Sequence, residues 1–113
     1  MTEYNFISEN LSSLKSALKE LQIHPGDAKT RFKDVFSEDS HYIHLLNRLG
    51  KYYGYTLSVV GDLDEDPYYE PQDPDYDPQM WIDHVNQLYV DLIRQLVNIK
   101  EKMEDRSERL NYY

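Results

Sequence analysis

The residues best suited to metal chemistry form one acidic run, Asp62-Leu-Asp64-Glu-Asp66. Carboxylates at alternate positions begin the calcium-binding loop of an EF-hand, which also needs Gly at its sixth position and Glu at its twelfth. Pro67 and Asp73 occupy those two positions in this chain. Because Pro cannot adopt the sharp turn and Asp chelates an ion less readily than Glu, the sequence predicts no EF-hand and no bound metal.

Four histidines are the other candidates for metal binding or acid–base chemistry. His41 and His44 are three residues apart, which would place both imidazoles on one face of a helix, but no third ligand follows at a fixed spacing. His24 and His84 are isolated in the sequence. The pattern therefore indicates ordinary solvated histidines.

No motif for covalent catalysis or phosphate binding is present in the sequence. The chain has no Cys, which excludes disulfides and thiolate nucleophiles, and no Gly-x-Ser-x-Gly motif. Gly50 and Lys51 lack the glycine spacing of a P-loop. Carboxylates are so frequent in residues 61–77 that no pair can be singled out as general acid and base. We expect a protein that is not an enzyme and needs no cofactor.

The net charge of -9 is confined to residues 61–84. This segment contains nine Asp or Glu residues and neither Lys nor Arg, whereas acids and bases balance before and after it. Its prolines and its like charges would extend the chain, so a solvated connector is one interpretation. A second interpretation, in which the segment packs partly on the body and offers contact area, is favoured by its large apolar side chains. These are Tyr68, Tyr69, Tyr76, Met80 and Trp81.

An acidic and aromatic surface suits a basic partner, because charge steers the encounter and rings supply contact area. The sequence predicts a non-catalytic protein-binding protein, an inhibitor or adaptor, that engages a protein with a basic surface. A nucleic-acid-binding partner, with the segment as a nucleic-acid mimic, is a special case. Direct binding of nucleic acid is not expected, since phosphates would be repelled. The predicted partner-binding residues are Asp62, Asp64, Glu65, Asp66, Tyr68, Tyr69, Glu70, Asp73, Asp75, Tyr76 and Asp77.

The first predicted helix follows a leucine-rich stripe near the N-terminus. Ser8 or Asn10 could cap it, and Pro25-Gly26 would end it. Steps of three and four residues place its apolar side chains on one face, which predicts core packing. These residues are Ile7, Leu11, Leu14, Leu18 and Leu21.

Two shorter helices and a strand are predicted next. The second helix spans residues 27–36 with Asp27 as its cap, and the third spans about 40–49 with Gly50 at its C-terminal end. Residues 54–60 are aromatic and β-branched, and they alternate as in a strand. A lone strand would need a pairing partner or would form an edge.

A long C-terminal helix is predicted over residues 78–110. Asp77 would cap it and Pro78 would occupy its first position. Its length suggests that the end beyond Met103 projects or pairs with another chain. The apolar stripe recurs at the helical period and comprises Trp81, Val85, Leu88, Leu92, Leu96, Ile99 and Met103, and Tyr89 and Ile93 widen it.

These elements predict a mainly α fold, a small helical domain with three N-terminal helices, the long C-terminal helix and one short β element. Residues 1–113 would form a single domain, with residues 61–77 as an acidic Pro/Tyr-rich connector. No apolar run is long enough to span a bilayer, and no secretory pattern opens the chain, so a cytoplasmic protein is expected. The alternative function is a structural or assembly protein, a helical homodimer in which the acidic segment serves solubility.

Overall fold

Four helices make up the regular structure of the residues that the structure describes. A computed structural model describes residues 2–55 and 72–110. In chain order the helices are α1 (Glu3–Ile23), α2 (Ala28–Val35), α3 (Ile43–Tyr53) and α4 (Pro78–Leu110). The described residues contain no strand, so the prediction of a small, mainly helical domain is confirmed and its β element is not found.

The longest helix, α4, begins and ends where the sequence predicts. The backbone N–H of Gln79 donates to Asp77 Oδ1 at 2.9 Å, which confirms Asp77 as the N-terminal cap. The stripe is buried as predicted except at its start and at Leu88: Trp81 is only half-buried, and Leu88 is 36% exposed. Tyr89, which is predicted to widen the stripe, is buried. The buried residues of α4 are Val85, Tyr89, Leu92, Leu96, Ile99 and Met103.

Helix α1 covers the carboxyl half of α4. The carboxylate of Glu3, at the start of α1, accepts two hydrogen bonds from Arg106, near the end of α4, at 2.8 and 3.2 Å. Ala28, which follows the other end of α1, contacts Asn86 in the amino half of α4. The two helices therefore run antiparallel. Leu110 packs partly buried against the core, so the expected projection beyond Met103 is wrong: α1 reaches far enough to hold that end of α4.

The start of α1 also corrects the sequence prediction. The helix begins at Glu3 after Thr2, whose hydroxyl accepts from the backbone N–H of Asn5 at 3.2 Å. Neither Ser8 nor Asn10 is a cap. Asn10 is 1% exposed, and its Nδ2 donates to the carbonyl of Phe6 at 2.9 Å. An amide that bonds one turn back can lie inside a helix at a core position.

Helix α3 starts and ends later than predicted. Residues 40–42 form a turn in which Ser40 Oγ donates to the carbonyl of Val35 at 2.6 Å. Gly50 is buried within the helix, and the C-terminal cap is Gly54, whose φ of 73° suits glycine. Residues 54–60 therefore do not begin as a strand, and residues 56–60 lie outside the described residues.

Aromatic packing explains why α3 continues through Tyr52 and Tyr53. The ring of Tyr52 stacks on Phe6 of α1 at a centroid distance of 3.9 Å, and Tyr53 meets the same ring edge-on at 5.9 Å. This packing on α1 outweighs the weak β preference of consecutive tyrosines. The same contacts join α3 to α1, while α1 and α2 both pack on α4.

The hydrogen bond that caps α2 predicts a contribution to stability that depends on pH. Thr30 N–H donates to Asp27 Oδ1 at 2.7 Å, and this hydrogen bond is the main reason that the pKa of Asp27 lies below its ordinary value of 3.8. The stabilisation is then present at neutral pH and is lost as pH falls from about 4 through the lowered pKa of the folded protein. Asp27→Ala should reduce the free energy of unfolding at pH 7 by about 1 kcal/mol.

Urea unfolding followed by circular dichroism at pH 7 and at about pH 3 measures this effect. Asp27→Asn is the matched control, because Asn caps nearly as well as Asp but does not titrate. It should stay close to wild type at pH 7. An Asp27→Ala penalty that is the same at both pH values would contradict the role assigned to the carboxylate.

Candidate protein-interaction surface

The turn before α4 and the first turns of α4 form a negatively charged surface. Asp73, Asp75, Asp77 and Asp83 are all exposed, and residues 72–93 contain neither Lys nor Arg. We call these four residues the acidic surface. Opposite charges would have to come from another molecule or from a distant part of this chain.

Local hydrogen bonds order the turn that carries the first three aspartates. Asp73 Oδ1 accepts from the backbone N–H of Asp75 at 2.9 Å, and the carbonyl of Asp73 accepts from Tyr76 at 3.2 Å. Tyr76 is half-buried. Asp77 then caps α4, and Asp83 Oδ1 accepts from Gln79 Nε2 at 2.8 Å. The carboxylates therefore stand on a defined backbone.

The structure brings together four of the eleven residues predicted to bind a partner: Asp73, Asp75, Tyr76 and Asp77. The other seven lie outside the described residues. They are Asp62, Asp64, Glu65, Asp66, Tyr68, Tyr69 and Glu70.

The predicted partner-binding residues do not include the apolar side chains beside the acidic surface, although Met80 is conspicuous in the sequence. Met80 is 71% exposed and Ile82 is 54% exposed, although both are large and apolar. Met80 lies off the stripe that runs from Trp81 through Val85, while Ile82, three residues before Val85, lies at its exposed edge. The sequence signal that identifies such residues is an apolar side chain away from the centre of the stripe of an amphipathic helix, because it must face solvent or a partner.

A cleft separates the start of α2 from the first turns of α4. Its volume is about 260 Å³. It is lined by Asp27, Lys29 and Thr30 on the α2 side and by Trp81, Ile82, Val85 and Asn86 on the α4 side. The cleft thus combines an apolar wall with a polar edge, next to the acidic surface.

Asn86 fixes the geometry of this cleft. Its Oδ1 accepts from the backbone N–H of Ala28, the first residue of α2, at 2.8 Å. Ala28 is 2% exposed, so water cannot easily replace that acceptor. Asp27 satisfies the donor of Thr30 at the same helix end. The N-terminus of α2 is therefore capped by its own aspartate and by a side chain of α4.

The lining of the two larger cavities favours no particular class of ligand. One of about 630 Å³ lies between Tyr55 and the carboxyl half of α4, and its charged lining alternates between Glu101, Lys102 and Asp105. Another, of about 480 Å³, lies between α1 and α4 and mixes Lys15 with Glu104 and Glu108. Mixed charges at short spacing select no particular class of ligand.

The predicted histidine pair does not share a helix. His41 precedes α3, and its ring lies 4.0 Å from that of Tyr42, while His44 is exposed on α3 itself. Within residues 2–55 and 72–110 no group of three potential ligands could hold a metal ion. None of the four described helices is long and apolar enough to cross a membrane.

Comparisons with protein-family models, curated proteins and solved structures give no match to this chain.

The Asn86–Ala28 hydrogen bond makes a stability prediction. Asn86→Ala leaves a buried N–H without its acceptor and should lower the free energy of unfolding by about 1–2 kcal/mol. Asn86→Asp keeps an oxygen in place and should recover most of that loss. Asn98→Ala, an exposed position on the same helix, controls for the change in helix propensity. Urea unfolding curves measure all three. Equal midpoints for Asn86→Ala and Asn98→Ala would show that the bond does not hold α2.

Proposed function

We propose that this chain is a non-catalytic protein-binding protein, an inhibitor or adaptor, that engages a basic surface of its partner. One observation carries the proposal: the acidic surface lies on an ordered turn and helix start with exposed apolar side chains beside it. Carboxylates that serve only solubility need no such neighbours.

The charge distribution supports a partner that docks at this end of α4. The carboxyl end of the helix contains acids and bases that pair with each other or with α1, as Lys100 does with Glu104 and Arg109 with Asp105. The acidic surface has no cation within residues 72–93. A basic protein would therefore be steered toward the amino end of α4 and not toward its carboxyl end.

The apolar residues support direct contact between proteins. Met and aromatic side chains are enriched at protein interfaces, and a basic partner held only by charge would be weak at physiological salt. Met80, Trp81 and Ile82 provide apolar area within the first turns of α4. Charge would then govern the rate of encounter, and these side chains would govern how long the complex lasts.

Nucleic-acid mimicry is less well supported than docking. Asp77 and Asp83 are six residues apart, or about 9 Å along a helix that rises 1.5 Å per residue. One strand of DNA places a phosphate every roughly 3.4 Å of its axis. Along α4 these two carboxylates are therefore more widely spaced than the phosphates that a nucleic-acid-binding protein recognises.

A helical homodimer is the alternative function. The leucine face of α1 favoured it in the sequence, but the folded chain supports it less well. The leucine face of α1 is used internally: Leu14, Leu18 and Leu21 are at most 6% exposed and belong to the core. Two copies that met at the amino end of α4 would also bring two acidic surfaces together, which costs free energy. Sedimentation at several protein concentrations distinguishes the two functions.

A charge-removal variant tests the proposal. Asp73, Asp75 and Asp77 are replaced together by Asn, which preserves the hydrogen bonds of the turn and the cap of α4 while removing three charges. Binding to basic proteins captured from lysate by the wild type should weaken about tenfold, mainly through a slower on-rate, if each contact contributes about 0.5 kcal/mol. Biolayer interferometry measures both rates.

A second triple variant removes the same number of charges elsewhere. Glu9, Glu101 and Glu108 are exposed on α1 and on the carboxyl half of α4, and their replacement by Gln should leave the affinity within about twofold of wild type. Equal losses in both triple variants would mean that net charge alone attracts the partner. Binding that is unchanged in the Asn variant, or at about 0.5 M salt, would refute the acidic-surface proposal.

A further inference from the structure

The cleft beside α2 is the end of the apolar stripe of α4 that none of the other described helices covers fully. Val85 is 3% exposed, but Trp81, one turn before it, is only half-buried, and Ile82 is 54% exposed. All three line the cleft. The inward face of α4 therefore continues past the point where α2 covers it, which leaves apolar surface that a further side chain could bury.

The size of the cleft limits what can occupy it. At about 260 Å³ it is smaller than the roughly 300–1,000 Å³ of pockets that enclose drug-sized ligands. One side is the apolar wall of Trp81, Ile82 and Val85. A single aliphatic side chain of a protein fits this size and chemistry better than a free metabolite.

The charges around the cleft indicate which residues should flank the inserted side chain. Asp27 lines the cleft and its pKa is lowered, chiefly by the hydrogen bond from Thr30, so it is ionised at neutral pH. Asp77 lies one helical turn before Trp81, which puts both on the same side of α4. Lys29 is the one cation among the lining residues. Cationic residues that flank the inserted side chain would meet these carboxylates.

We propose that the cleft receives one aliphatic side chain from a lysine- or arginine-rich segment of the partner. This inference rests on the proposed function and makes it more specific, because it assigns the anchor of the complex to Trp81 and Ile82. The acidic surface holds the basic residues of the segment. A second copy of this chain does not suit the cleft, since its own acidic surface would face Asp27 and Asp77.

Trp81 offers a direct readout because it is the only Trp in the chain. Two synthetic peptides serve as probes: a lysine-rich peptide with one central Leu, and the same peptide with Ser in place of Leu. Both have the same charge. The Leu peptide should bind about tenfold more tightly and should shift the Trp81 emission to shorter wavelength, since burial removes the indole from water.

Two variants separate the cleft from its surroundings. Ile82→Ser removes part of the apolar wall and should abolish the preference for the Leu peptide, while binding of the Ser peptide stays unchanged. Leu88→Ser is the matched control, because Leu88 is an exposed apolar residue of the same helix that neither lines the cleft nor belongs to the proposed contact. It should keep the preference. Both positions are exposed, so neither change should prevent folding.

The outcomes distinguish the inference from the proposed function. If the wild type binds both peptides equally and both weaken in the Asp73, Asp75, Asp77→Asn variant, the cleft is not an anchor but the acidic surface stands. If neither peptide binds at low salt, the proposed function fails and the inference fails with it. A Leu preference that survives Ile82→Ser would place the anchor elsewhere. Concentration-dependent sedimentation of the free protein that Ile82→Ser abolishes would instead identify a second copy as the occupant.

Discussion

The fold depends on covering the single apolar stripe of α4 with helices that are shorter than α4. At 1.5 Å per residue the 33 residues of α4 span about 50 Å, whereas the 21 residues of α1 span about 32 Å. Antiparallel packing lets α1 protect the carboxyl half, where Leu96, Ile99 and Met103 are at most 1% exposed. The eight residues of α2 cover the next part, and the first turns remain only partly protected.

The same mismatch links the architecture to the proposed function. The exposed apolar residues at the amino end of α4 directly follow the acidic segment. Apolar contact area and negative charge therefore occur together at this end of the helix. Asn86 and Asp27 position the first turn of α2 and thereby set the width of the cleft. A protein–protein contact needs both a steering field and a desolvated centre, and this end of the molecule offers candidates for each.

Strong periodicity made α4 predictable from the sequence, and Asp77 before Pro78 marked its start because capping is a local effect. The errors arose where tertiary contacts override local preference. Asn10 looks like a cap but bonds to Phe6 within the core, and the third helix, predicted to end at Gly50, continues through Tyr53. The acidic surface was partly visible as a run of charge. The cleft was not, since it exists only where two sequence-distant helices meet.

Amide NMR spectra recorded during titration with the lysine-rich Leu peptide test the central claim most directly. The acidic surface and the cleft together predict that the largest shift changes fall in residues 72–86, the Trp81 indole and residues 27–30, and that they vanish at about 0.5 M salt. The carboxyl half of α4 has as many acids as the acidic surface, but bases are interspersed with them, so it should change little. Largest changes in residues 100–110, or changes spread evenly over the surface, would contradict the account.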